Sequence, residues 1–133
     1  MSDDVAAKFG GVPVNAHLGF ELRAHDPSGA VVAFTPRPEH AQEYGVVHGG
    51  LLSALADTAA VYALHPFLAA GEGMTSIEFK VNFLAAARPG AGEMVARSTM
   101  VRRGRTVAVL RADVTQGETH VLTGVFTYML MRK

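Results

Sequence analysis

An α+β domain with an antiparallel sheet is the fold class this sequence predicts, on three observations. Polar and apolar side chains alternate from Ser76 through Phe83, the pattern of a half-buried strand. Three more strand candidates follow it, near 92–102, 105–115 and 118–130. Between two early strands and this run lies one long stretch of alanine, leucine and valine that reads as a helix. Strands clustered around a single helix do not make the alternating pattern of a parallel sheet.

Taken in order, residues 1–16 are poorly patterned, with a short helix expected before Gly10-Gly11. Residues 20–24 and 30–35 read as short strands around the turn Asp26-Pro27-Ser28-Gly29. Pro36, Pro38 and Gly45 mark an irregular loop leading to His48. The long helix starts at Gly49 or Gly50 and is expected to reach about Leu68, with Pro66 near its end to kink or stop it. Its many alanines leave room for a sheet to wrap closely around it. A loop at Ala70-Gly71-Glu72-Gly73 precedes the strand at 76–84, and Arg103-Gly104 and Gln116-Gly117 separate the last three strands. No repeat or linker interrupts the 133 residues, so one domain over 1–133 is expected.

Composition excludes several classes of function. With 49% apolar and 18% charged residues the chain is built to bury a core rather than to stay disordered. Twelve basic and 12 acidic side chains cancel, so nothing global draws it to nucleic acid or an anionic membrane. Disulfides, thiolate metal sites and a cysteine nucleophile are excluded because there is no cysteine. His17, His25, His40, His48, His65 and His120 show no metal-binding spacing, and no metal or cofactor is expected. The acidic start Met1-Ser2-Asp3-Asp4 does not resemble a signal peptide, and the longest apolar runs are too short to span a membrane. A cytoplasmic location is the expectation.

The chemistry concentrates in His48-Gly49-Gly50 and in Asp57, seven residues after Gly50. A glycine-marked turn entering a helix offers free backbone N–H groups that can hold a developing negative charge. The two glycines either permit a tight turn or let a carbonyl oxygen approach those groups. Asp57 stands mid-helix among small apolar residues, with only Ser53, Thr58 and Tyr62 as polar company. It is either a solvated carboxylate or a sequestered base or nucleophile with a raised pKa. His48 lacks a triad partner, which leaves it a supporting hydrogen bond. Gly49 and Asp57 are eight residues apart, about 12 Å along a helix, so one chain cannot bring both to one carbonyl. If both act on one substrate, they come from different subunits. Arg102-Arg103-Gly104-Arg105 is the only concentrated positive patch, either a solvated face or a clasp for the phosphates of a nucleotide-bearing substrate.

The chain resembles the hotdog-fold acyl-CoA thioesterases, specifically the phenylacetate-pathway (PaaI-like) branch. The likeness runs from His17-Leu18-Gly19-Phe20 through Gly45-Val46-Val47-His48-Gly49-Gly50 and Leu55-Ala56-Asp57-Thr58-Ala59. It continues through the strand 76–84, Arg88-Pro89-Gly90 and Gly104-Arg105-Thr106. The resemblance implies a central helix wrapped by a curved antiparallel sheet. It further implies homodimers or homotetramers with sites at the dimer interface, and metal-free hydrolysis of acyl-CoA, whose acyl group could be aromatic. It implies that Asp57 activates water or attacks the thioester, and that the Gly49 N–H polarises the carbonyl from the opposite subunit. It also implies that Gln42 orients water or substrate, although glutamine stands there in place of the more frequent asparagine. Ser76, or Thr75 if the alignment slips by one, would help to place the water. A hotdog hydratase and a non-catalytic acyl-CoA-binding module are the competing readings.

Overall fold

The structure, a computed structural model, describes residues 1–132. Two short helices, α1 (Asp3–Gly11) and α2 (Pro13–Leu18), precede strands β1 (Glu21–Asp26) and β2 (Gly29–Phe34). The long helix α3 (Gly49–Leu64) follows, then β3 (Glu72–Phe83), β4 (Met94–Arg103), β5 (Val107–Gln116) and β6 (Thr119–Arg132). All six strands form one sheet in the order β1-β2-β4-β5-β6-β3, with every neighbouring pair antiparallel. The α+β class and the order of strands and long helix are those the sequence predicts.

Several boundaries differ, each for a physical reason. The helix expected to reach Leu68 ends at Leu64 and tightens into a 3-10 turn at His65–Phe67. Pro66 has no N–H to donate back along the helix, and its ring clashes with the preceding turn. Where one short helix was expected at the N-terminus there are two. Ser2 caps the first by accepting from the Val5 N–H, and Pro13 opens the second at a position where its missing N–H costs nothing. Strand β3 starts at Glu72, inside the expected loop, because long β6 pairs with it from Glu72↔Arg132 to Phe83↔Leu122.

Helix α3 is apolar on nearly every side, the mark of a helix enclosed by protein. Leu55, Ala56, Ala59, Ala60 and Leu64 lose all exposure against the sheet. Each leucine buried in this way stabilises the fold by roughly 1.5–3 kcal/mol. The helix lies chiefly over β2, β4 and β5, with little contact to β6. Two surfaces therefore stay open: a stripe of α3 containing Leu51, Ala54, Asp57, Thr58 and Val61, and the helix-facing side of edge strand β3.

The half-buried character expected of residues 76–83 is not what one chain shows. Ile77, Phe79 and Phe83 are 50%, 48% and 56% exposed. Register explains which way they face. Phe79, Val81 and Phe83 pair with Phe126, Gly124 and Leu122 of β6, so they share its inward side. The register shifts between Ser76 and Glu78, a bulge at Ile77, and Ser76 pairs with inward-facing Tyr128. Ser76 and Phe79 thus lie on one face, although simple alternation would put them on opposite faces. Thr75 pairs with exposed Met129 and faces outward.

Buried Gln116 at the end of β5 fixes the loop between β3 and β4. Its amide donates to the carbonyls of Arg88 (2.8 Å) and Gly92 (2.9 Å) and accepts from the Arg88 N–H (3.0 Å). The same loop accepts the Val47 N–H at the Ala87 carbonyl, 2.8 Å away, next to the start of α3. Gln116→Ala should therefore lower unfolding free energy by about 1–3 kcal/mol, because buried backbone groups lose their partners. A urea midpoint within error of wild type would contradict this role.

Candidate active site

The start of α3 is built by His48 and its two glycines acting as a unit. His48 caps the helix: its Nδ1 accepts from the Gly50 N–H at 2.9 Å, which places the ring proton on Nε2. Its carbonyl accepts from Leu51 (3.0 Å) and Leu52 (3.3 Å). Among the described residues, Gly49 is then the first-turn residue whose N–H has no protein partner. Neither glycine is needed for a left-handed turn, since neither has positive φ. The reason is space. A Cβ on Gly50 would lie 2.9 Å from the His48 ring, and one on Gly49 would lie 3.1 Å from the tip of the Phe83 ring.

A cavity of about 330 Å³ opens at this helix end, lined by Gln42, Val46, Val47, Gly49, Leu52, Phe83 and residues 84–87. Gln42 reaches it from the loop before α3. The Gln42 backbone closes a turn through Gln42 N–H to Val46 O (2.9 Å) and Gly45 N–H to Gln42 O (2.9 Å). Its side-chain oxygen accepts the Tyr44 N–H at 2.5 Å, which leaves its NH₂ as the group it can offer. Gly49 and Gln42 are thus brought together. Asp57 is not among the cavity's lining residues.

Asp57 occupies the middle of the open stripe of α3, half-buried. Two other polar side chains of α3 are turned inward on their own helix. Ser53 donates to the Gly49 carbonyl (3.1 Å) and Thr58 to the Ala54 carbonyl (2.7 Å). Asp57 instead accepts at Oδ1 from the hydroxyl of Tyr128, 2.5 Å away. Burial pushes its carboxyl above the ordinary aspartate range, and the Tyr128 hydrogen bond partly opposes that rise. The carboxylate is therefore half-buried, with one oxygen held by Tyr128. Ser76 stands beside Tyr128 in the sheet, on the face toward α3, whereas Thr75 faces outward.

The arginine turn lies elsewhere, beside the 3-10 turn at the far end of α3 from Gly49. Arg103 is consumed there: its guanidinium holds the Glu72 carboxylate and donates to the carbonyls of Phe67 (3.3 Å) and Gly104 (2.6 Å). Arg102 and Arg105 remain exposed. Tyr128 is the residue that sequence reasoning missed. The signal available was a tyrosine at an inward position of an alternating strand, where a buried hydroxyl requires a partner.

Residues 44–123 match the family model of the thioesterase superfamily, a span that includes the capped helix start, Asp57 and Ser76. The chain belongs to the thioesterase superfamily. It is similar to the medium/long-chain acyl-CoA thioesterase YigI of Escherichia coli, with 28% identity over 136 residues, covering 90% of this chain and 86% of that protein. Among solved structures it is similar to a thioesterase family protein from Silicibacter pomeroyi, with TM-score 0.87, 28% identity and coverage of 97% and 96%. It is also similar to the phenylacetic acid degradation protein PaaI from Thermus thermophilus, with TM-score 0.81, 26% identity and coverage of 88% and 97%. This thioesterase is thus a hotdog-fold hydrolase by family as well as by architecture.

If crowding by the His48 ring is what requires glycine at position 50 of the thioesterase, the two residues must be energetically coupled. Gly50→Ala should destabilise the wild type. In a His48→Ala background the same change should stabilise by about 0.5–1 kcal/mol, since alanine is then simply the better helix former. Additive effects in thermal unfolding would refute the coupling.

Proposed function

We propose that the protein hydrolyses an acyl-CoA to the free acid and CoA at sites shared between two subunits. Asp57 of one subunit acts as general base or nucleophile. The Gly49 N–H of the other polarises the thioester carbonyl. The observation that carries this reading is a half-buried carboxylate on an otherwise apolar helix stripe, in a chain whose helix start keeps one N–H unpaired. A tetrahedral intermediate gains several kcal/mol from such a preorganised donor. In net terms, water adds its oxygen to the carbonyl carbon and the carbon–sulfur bond breaks; one water proton ends on the departing CoA sulfur and the other is released as the acid ionises.

Sharing of sites follows from length. Gly49 and Asp57 belong to one straight helix, with eight residues and about 12 Å between them. The open surfaces suit a second copy: exposed Ile77, Phe79, Phe83 and Leu84 lie at the free edge strand and its end, beside the uncovered stripe of α3. Gln42 is positioned to orient substrate or water at the donor end, and Ser76 to place water at the carboxylate end. His48 serves by holding the loop. Arg102 and Arg105 are the cations of the arginine turn left to meet CoA phosphates, Arg103 being held by Glu72.

Free-thiol release from a panel of aryl-, medium-chain and long-chain acyl-CoA esters tests the reaction and ranks acyl groups. Asp57→Ala and Asp57→Asn should each reduce turnover at least about 100-fold, or roughly 2.7 kcal/mol of barrier. The protonated carboxyl is inactive, so the wild-type rate should rise with pH through an acidic limb lying above about 3.9, the free aspartate value. Turnover unaffected by both variants would overturn the proposal.

Mixing tests the shared site. Gly49→Pro removes the donor at a helix position whose missing N–H is tolerated, and the exposed Phe83 ring, 3.1 Å from the added Cβ, must shift slightly to admit it. Combined with Asp57→Asn under conditions of subunit exchange, it should recover activity through hybrid dimers. No recovery, with exchange verified, would exclude a site built from both chains.

A further inference from the structure

Tyr128 is a buried tyrosine, 1% exposed, whose ring lies in the core beneath α3. Its hydroxyl is 2.5 Å from Asp57 Oδ1 and 3.3 Å from the backbone carbonyl of the same residue. One donor therefore holds two acceptors of Asp57, one on the side chain and one on the main chain. The second carboxylate oxygen has no hydrogen-bond partner among the described residues. Tyr128 also pairs across the sheet with Ser76, so the element that holds the carboxylate is hydrogen-bonded to the strand carrying the nearby hydroxyl.

We propose that Tyr128 is a positioning residue for the hydrolysis: it pins one oxygen of Asp57 and leaves the other as the reacting atom. The inference rests on the function proposed above. A carboxylate on an exposed helix face turns freely about its side-chain bonds, and each wasted rotamer lowers the fraction of molecules ready to react. Here the hydroxyl is fixed by the packing of its ring in the sheet, so the carboxylate inherits the rigidity of the core. Burial, and then the adjacent carboxylate, push the Tyr128 phenol far above its ordinary range, so it remains a donor at every pH at which the protein works. Being permanently protonated, it does not compete with Asp57 for the proton of water. Its hydrogen bond favours the charged form of Asp57, which counters the effect of burial.

Tyr128→Phe keeps the ring and removes only the hydroxyl. The variant should fold and assemble as wild type does. Its kcat should fall by on the order of tenfold or more, while KM for the acyl-CoA changes by less than about threefold. The acidic limb of the rate profile should move to higher pH, and so should the Asp57 carboxyl titration followed by carbon-13 NMR. The NMR titration needs no turnover, so it separates this inference from its parent. Turnover that survives Asp57→Asn would sink the assignment of the reaction to Asp57. A Tyr128→Phe variant that loses thermal stability, but leaves kcat, the acidic limb and the Asp57 titration where they were, would sink the positioning role alone.

Discussion

The width of the sheet relative to the one long helix laid across it sets the terms for the rest of this structure. Six strands at about 4.8 Å spacing span roughly 24 Å, whereas a helix with its side chains is about 10 Å across. Helix α3 therefore lies chiefly over β2, β4 and β5 and barely meets β3, where Gly49 faces Phe83. Its alanines let it sit low on the sheet, which sharpens the contact it makes and does nothing to widen it. The result is a corner between the flank of α3 and the inward face of β3, apolar on both walls. Asp57 projects from one wall and Phe79, Val81 and Phe83 from the other.

A corner of this kind tolerates few polar groups, and the fold disposes of nearly all of them. Ser53 and Thr58 bond to the backbone of their own helix, His48 closes the helix end, and Gln116 satisfies the loop that packs beside it. Tyr128 takes one oxygen of Asp57. Among the described residues, the Gly49 N–H and the second Asp57 oxygen have no protein partner, at separate positions along the same helix.

Much of this was legible in the sequence because it depends on local chemistry. Strand alternation, the alanine-rich helix and the Pro66 stop are nearest-neighbour effects; their errors lay in boundaries and in β3, where the bulge at Ile77 and the exposure of Phe79 and Phe83 break the expected half-buried alternation. Asp57 stood out because no local reason placed a carboxylate there. The glycines stood out in the sequence, but neither has positive φ, and it takes the position of the His48 and Phe83 rings to see why a Cβ is crowded there. Tyr128 and Gln116 could not be read, since each acts on a partner 71 or 24–28 residues away and neither leaves a local pattern. Nor could the arginine cluster be divided into one engaged and two exposed cations without seeing Glu72 reach Arg103.

The bulge at Ile77 makes β3 two rulers laid end to end. A regular strand assigns faces by odd and even count, so adding or removing one residue anywhere inverts everything beyond it. In β3 the even-numbered Met74 and Ser76 and the odd-numbered Phe79, Val81 and Phe83 all look inward, because the count restarts at Ile77. The hydroxyl half and the aromatic half are thus phased independently. Loss of the extra residue would preserve either half only by turning the other inside out. For lineages that gain and lose single residues, this one irregularity is where chain length, rather than residue identity, decides whether the strand can serve the site.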